Sequence, residues 1–179
     1  MGYEGMASRH YYRGLSKSLP EDFQFNKRTR RPPRDPFNSM ISLGYTTLFH
    51  EIIGHIESVG LSPYGGIVHD HRRNHPSLAG DLIEEFRSPL IDATVVDLIS
   101  QGKVTEEDFD QTEEGVFLKQ GCLKLYLAQI QAKLATGQKY LKEAKEPISY
   151  RKAIYHQCRS LVKAIEAKDP SLYRALRIR

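Results

Sequence analysis

The sequence predicts an all-α domain, with about seven helices around a buried central one. Apolar residues recur every three or four positions through its long segments, the period of a helix with one face turned inward. Helix-starting and helix-ending residues fall where that period begins and stops. The 179 residues, 40% hydrophobic and 27% charged, suffice for one domain with its own core and are not the composition of a disordered chain.

A helix-like pattern starts almost at Met1. Between residues 27 and 34 stand five cations (Lys27, Arg28, Arg30, Arg31 and Arg34) and no acid. Pro32 and Pro33 lie inside this run, so it reads as an extended loop: proline has no N–H for a helix and biases its predecessor toward extended backbone. Asp35-Pro36 is a helix start, an N-cap side chain followed by proline at the first helical position. Phe37, Ile41, Tyr45, Leu48, Ile52, Ile56 and Val59 then repeat at helical spacing, with Met40, Leu43, Phe49 and Ile53 as a second stripe. A helix apolar over so much of its circumference belongs at the centre of a fold, and Gly60 suits its C-terminal cap.

Residues 62–76 read as a loop punctuated by Pro63, Gly65 and Gly66. Ser77 is the expected cap of a helix to about Arg87, which Pro89 kinks or restarts; Leu90, Ala93, Val96 and Leu98 carry the pattern on to about Ser100. Thr105-Glu106-Glu107-Asp108 has the form of a capping box opening a short helix. Residues 115–118 read as a short strand or a turn, and two long amphipathic helices follow at about 121–135 and 149–167. Pro170 opens a last helical turn.

Composition excludes several classes. No segment approaches the roughly 20 consecutive apolar residues of a membrane helix, so no membrane partner is expected. Met1-Gly2-Tyr3-Glu4 has no basic segment leading into an apolar run, so no signal peptide is expected. Cys122 and Cys158 are too few for a disulfide framework or a four-cysteine zinc site, and a reducing cytoplasm is the expected setting. The net charge of +4, with a pI near 9.0, permits a nucleic-acid partner without demanding one. Residues 1–80 hold +3 of that charge and residues 81–179 only +1.

Three constellations bear on chemistry. His50-Glu51 with His55 brings to mind the zinc-protease motif, but its histidines are five residues apart rather than four, so they diverge by about 140° around a helix. The loop carrying His69, His71, Arg72, Arg73 and His75 leads to Asp81, Glu84 and Glu85. Asp81 and Glu84 share a helix face, and one imidazole with carboxylates suits Mg2+ or Mn2+ better than structural zinc. On spacing alone the same residues read rather as a solvated acidic helix start, favoured by the helix dipole, beside a polar loop. The run at 27–34 is either a solvated loop or a set of phosphate contacts.

Taken together, these segments resemble the CRISPR-associated integrase family, the catalytic subunit of the spacer-acquisition complex. Tyr3-Glu4-Gly5-Met6-Ala7 with Tyr11-Tyr12 resembles its glutamate-glycine motif, and Arg30-Arg31-Pro32-Pro33-Arg34-Asp35-Pro36-Phe37-Asn38 its arginine-proline turn. Ser42-Leu43-Gly44-Tyr45-Thr46-Thr47-Leu48 matches the central helix; Gly60-Leu61-Ser62-Pro63 with Gly66-Ile67-Val68-His69 matches the loop ending in a histidine. The stretch from Ser77 to Arg87 matches the acidic helix, and Ser149-Tyr150-Arg151 with Gln157 the last long helix. Each motif is short, but together they stand in the family's order over nearly the whole chain.

The resemblance implies a metal-dependent DNA endonuclease and integrase of CRISPR immunity, using Mg2+ or Mn2+. A 3′-hydroxyl of a short spacer DNA would attack a phosphodiester of the CRISPR repeat. The implied metal ligands and catalytic residues are Glu4, His69 and Glu84, with Asp81 as an accessory acid. Lys27, Arg28, Arg30, Arg31, Arg34, Arg72 and Arg73 are the expected DNA contacts; about five cations on duplex DNA give a salt slope near −4 to −5. A small ferredoxin-like subunit is the family's partner. Family members carry a β-rich domain of roughly a hundred residues, an ordinary domain size, before the glutamate motif, and their dimer leans on it. Here that motif begins at residue 3, so residues 1–179 are expected to be the helical catalytic domain alone. The rival expectation is a truncated module that binds DNA or a partner without turnover.

Overall fold

The computed structural model describes residues 2–67, 75–137 and 146–176, without the Glu4 side chain. The all-α expectation holds: among the described residues there are six α-helices, short single turns and one two-stranded hairpin. The helices are α1 (Tyr3–Lys17), α2 (Pro36–Ser58), α3 (Ser77–Ile83), α4 (Ala93–Ser100), α5 (Gln120–Ala135) and α6 (Tyr150–Ala167); β1 (Phe109–Thr112) and β2 (Gly115–Leu118) form the hairpin. No helix among the described residues is long and apolar enough to cross a membrane. The chain divides into two compact units, Met1–Tyr45 with Ile91–Gln129, and Thr46–Leu90 with Ile130–Arg179.

α2 begins and ends as its sequence dictates. Asp35 accepts the Asn38 N–H at 2.8 Å, and Pro36 takes the first helical position. At the other end Gly60 has φ +84°, Gly60 N–H bonds Glu57 O at 3.0 Å, and Leu61 N–H bonds Ile56 O at 3.1 Å. This pair of bonds is a Schellman cap, which needs a left-handed residue that glycine supplies without strain. Phe37, Met40, Ile41, Leu48, Ile52 and Ile56 are fully buried, as expected of a central helix.

In the first unit Phe25 stacks on Phe37 with centroids 4.7 Å apart. Gly44 lets α2 approach α5: a Cβ there would stand 2.3 Å from Tyr126 Oη and 2.5 Å from Ile91 Cγ2. The hairpin pairs antiparallel in register Phe109 with Leu118 and Thr112 with Gly115. The loop with the two prolines docks on it, because Val116 N–H bonds Pro33 O at 3.0 Å.

The segment around Pro89 departs from expectation. α3 stops at Ile83 instead of running to Arg87, and residues Arg87–Asp92 form a π-helical turn before α4. Proline removes a donor and crowds the carbonyl four residues back, and a wider turn relieves both. The extra residue shifts the inward face by one position. Leu90, Ile91, Val95, Leu98 and Ile99 are buried, whereas Ala93 and Val96, placed inward by a straight 3.6-residue repeat, are only half-buried. Ser77 is not the cap either; it is the first helical residue, and its hydroxyl donates to His75 O.

In the second unit α6 opens with Ser149 accepting the Lys152 N–H at 3.2 Å and packs Ile154, Cys158 and Leu161 inward. Glu51 is only 20% exposed: Arg151 Nε donates to it at 2.7 Å, and His55 Nε2 lies 3.5 Å away. Glu51 and His55 are thus anchored to α6, through Arg151 and Tyr155, rather than arranged with His50 as a zinc cage.

Candidate active site and basic cleft

In the second unit, α3 presents two carboxylates. It is only seven residues long, too short to stand without tertiary ties. The loop before it supplies two such ties: Leu78 N–H bonds Pro63 O at 3.0 Å, and Ile67 N–H bonds Asp81 Oδ2 at 2.6 Å. Asp81 and Glu84 keep their helical three-residue offset, because Glu84 caps α3 in helical geometry, φ −57° and ψ −35°. Both therefore stand at the C-terminal end of α3, where the helix dipole favours cations over anions. The reading of these acids as a dipole-favoured helix start is thus corrected by the early end of α3.

Glu84 and Glu85 differ in surroundings. Glu84 is exposed and ion-paired with Arg87. Glu85 is half-buried and accepts from Gln157 Nε2 at 2.8 Å, from Leu176 N at 2.7 Å and from the Tyr173 hydroxyl. Glu85 thus holds structure through three partners, whereas Glu84 stands at the surface beside Arg87. Among the described residues no three His, Cys, Asp or Glu side chains converge as a metal cage. His69, His71, Arg72 and Arg73 lie outside the described residues.

In the first unit, α1 carries Glu4 in its first turn. Most of α1 is exposed. Ser16 Oγ both donates to Phe25 O at 2.7 Å and accepts from Phe25 N at 2.9 Å. The Tyr11 hydroxyl donates to Asp92 Oδ2 at 2.6 Å, the Tyr45 hydroxyl donates to Asp92 Oδ1 at 2.5 Å, and Tyr12 and Tyr45 hydroxyls meet at 3.0 Å. Asp92 is only 3% exposed. Burial, and then the Asp92 charge, hold the Tyr45 phenol well above its ordinary range, so it stays a donor.

The same unit contains an open cleft of about 870 Å3. Arg9, Arg13 and Lys17 from α1 line it together with Lys27, Arg28 and Arg34, with Asp35 as the one acid among the described lining residues. Asn38 fixes the loop wall. Fully buried, it accepts from Arg28 Nη1 at 2.8 Å and Thr29 N at 3.1 Å, and donates to Lys27 O at 3.0 Å and Asp35 Oδ2 at 2.6 Å. Arg28 also donates to Ser42 Oγ at 3.0 Å and lies over the Tyr45 ring at 5.7 Å; burial pulls its pKa down from the ordinary value. Arg30 and Arg31 are exposed but do not line the cleft. Arg9, Arg13 and Lys17 escaped the sequence reading, although their four-residue spacing places them on one helix face.

The family described as CRISPR associated protein Cas1 matches residues 1–132. The chain belongs to the Cas1 family. It is 38% identical over 172 residues to a CRISPR-associated endonuclease Cas1 of Mycobacterium tuberculosis (strain CDC 1551 / Oshkosh), covering 95% of this chain and 51% of that protein. A Thermus thermophilus Cas1 endonuclease is 40% identical over 169 residues, covering 94% and 51%. The chain therefore spans about half the length of the curated relatives it matches. A casposase bound to its integration product superposes with TM-score 0.84 at 28% identity, over 95% of this chain and 48% of that one. A Cas1 protein from Thermotoga maritima gives TM-score 0.81 at 26% identity, over 91% and 50%. In this Cas1 chain Asp81 and Glu84 are the described members of the expected ligand set, and Lys27, Arg28 and Arg34 are the expected contacts that the cleft brings together.

Proposed function

We propose that this chain is the helical catalytic part of a Cas1 integrase and endonuclease, with Glu4, His69 and Glu84 as ligands of a divalent ion and Asp81 beside them. One observation carries the reading. Two carboxylates share a face at the cation-favouring end of α3, and Asp81 is bonded to Ile67, two residues before His69. Their oxygen-rich donor set fits Mg2+ or Mn2+. Such an ion, when bound, polarises the phosphoryl oxygen and stabilises the attacking and leaving oxygens.

The chain's own residues supply the rest. Arg9, Arg13, Lys17, Lys27, Arg28 and Arg34 neutralise the DNA backbone. The reaction forms one phosphodiester bond and breaks another, while the proton of the attacking 3′-hydroxyl ends on the leaving oxygen. It therefore needs no external energy source and runs in reverse as disintegration. Support for DNA and for a Cas2 partner comes from neighbours described as a casposase bound to integration product and as a Cas6-RT-Cas1–Cas2 complex.

The test is Mn2+-dependent cleavage of branched DNA by the wild type and by His69→Ala. The reading expects cleavage by the wild type alone. Equal cleavage by both would overturn the His69 role, and no cleavage by either with intact DNA binding would leave a DNA-binding module without turnover.

A further inference from the structure

We propose that residues 170–176 form a strap that positions Glu84 by clamping its neighbour Glu85 against α6, with the Glu85 carboxylate beside the ion site. The inference rests on the reading of Glu84 as a metal ligand.

The strap begins where α6 ends. Lys168 adopts φ +53°, a left-handed cap, and Asp169 accepts the Ser171 N–H at 2.9 Å as a 310 turn over Pro170–Leu172 opens. The chain then runs back along α6. Ser160 Oγ donates to Leu172 O at 3.1 Å, and Gln157 Nε2 donates to Arg174 O at 3.0 Å. Its destination is Glu85. Leu176 N and Gln157 Nε2 donate to Oε2 at 2.7 and 2.8 Å, and the Tyr173 hydroxyl donates to Oε1. Burial, and then the bond to Glu85, keep the Tyr173 phenol protonated well above its ordinary range.

Two consequences follow for Glu84. Consecutive residues of a helical turn diverge by about 100°, so fixing Glu85 inward fixes Glu84 outward. α3 has only seven residues of its own to hold that direction. The second consequence is electrostatic. All three partners of Glu85 among the described residues are neutral: an amide, a phenol and a backbone N–H. They satisfy the carboxylate without bringing an opposite charge to it, one residue from Glu84. Tyr173 and Gln157 are thus positioning residues, not catalytic ones.

The test is a titration of Mn2+ binding, read by loss of the free-ion paramagnetic resonance signal, in wild type, Tyr173→Phe, Glu85→Gln and Glu84→Gln. Tyr173→Phe keeps the ring and loses one donor. It should raise the half-saturating Mn2+ concentration about three- to tenfold, with DNA affinity measured without metal unchanged and the cleavage rate recovered at high Mn2+. Glu85→Gln keeps the size, loses the charge, and should shift the titration in the same direction. A lowered melting temperature with unmoved half-saturation in both variants would overturn the strap's role while Glu84→Gln still abolishes binding. If Glu84→Gln itself binds Mn2+ like wild type, the ligand assignment fails, and this inference with it.

Discussion

Arg9 and Arg13 project from an exposed stretch of α1 into a cleft that four other cations also line. Replacing both by glutamine removes two positive charges from an exposed helix surface. Six cations facing six phosphates give duplex binding a slope of about −5 in log K against log salt, and four give about −3.6. Between 50 and 200 mM salt the wild type should lose about three decades of affinity and the double variant about two. Exposed substitutions of this kind change stability by within about 0.5 kcal/mol, so melting temperature serves as the control. The assay is fluorescence anisotropy with a labelled duplex across that salt range, without divalent ions. A double variant with wild-type slope would refute the cleft as the DNA-contacting surface, and a flat wild-type response would refute backbone binding altogether.

Further predictions concern the scaffold. Asp92→Asn leaves an amide facing two tyrosine hydroxyls that now donate to a carboxylate; losing hydrogen bonds to a charged group costs about 1.5–3 kcal/mol each. Faster amide hydrogen exchange along α1 should report it, and unchanged protection there would contradict the anchoring role. Gly44→Ala forces a methyl to within 2.3 Å of Tyr126 Oη; overpacking of about 1–3 kcal/mol should lower the urea midpoint, and an unchanged midpoint would contradict the close approach. Burial pushes the Cys122 and Cys158 thiols up to about 11 from 9.0. Their contribution to stability is therefore complete below pH 9 and lost as pH rises toward 11. A Cys122→Ala, Cys158→Ala double variant should lose less stability across that window than wild type, and an equal loss would contradict it.

Local signals were legible in the sequence. Asp35-Pro36 and Gly60 act through their own backbone within three or four residues, and each caps its helix as expected. The pause at Pro89 was legible, but its form was not, because a π turn is chosen by packing rather than by the proline alone. β1 was invisible: Phe-Asp-Gln-Thr shows no alternation, and the strand exists because β2 and the docked Pro33 loop pair nearby. Of the candidate site, Glu84 and Asp81 could be named from motif order, while the separation of Glu84 from Glu85 by surroundings depended on Tyr173 and Leu176, about ninety residues away. Arg9, Arg13 and Lys17 were missed because they join residues 27–34 only through the fold. Asp92 carried a faint signal, a lone acid beside Leu90, Ile91 and Val95, which gains meaning only once Tyr11 and Tyr45 are seen to reach it.

The central claim is that Glu4, His69 and Glu84 together hold one divalent ion. Mn2+ binding to the 179-residue chain, followed by paramagnetic resonance without DNA, tests it most directly. The account predicts one bound ion in the wild type and its loss in each of Glu4→Gln, His69→Ala and Glu84→Gln. Wild-type binding retained in any of the three variants would contradict it.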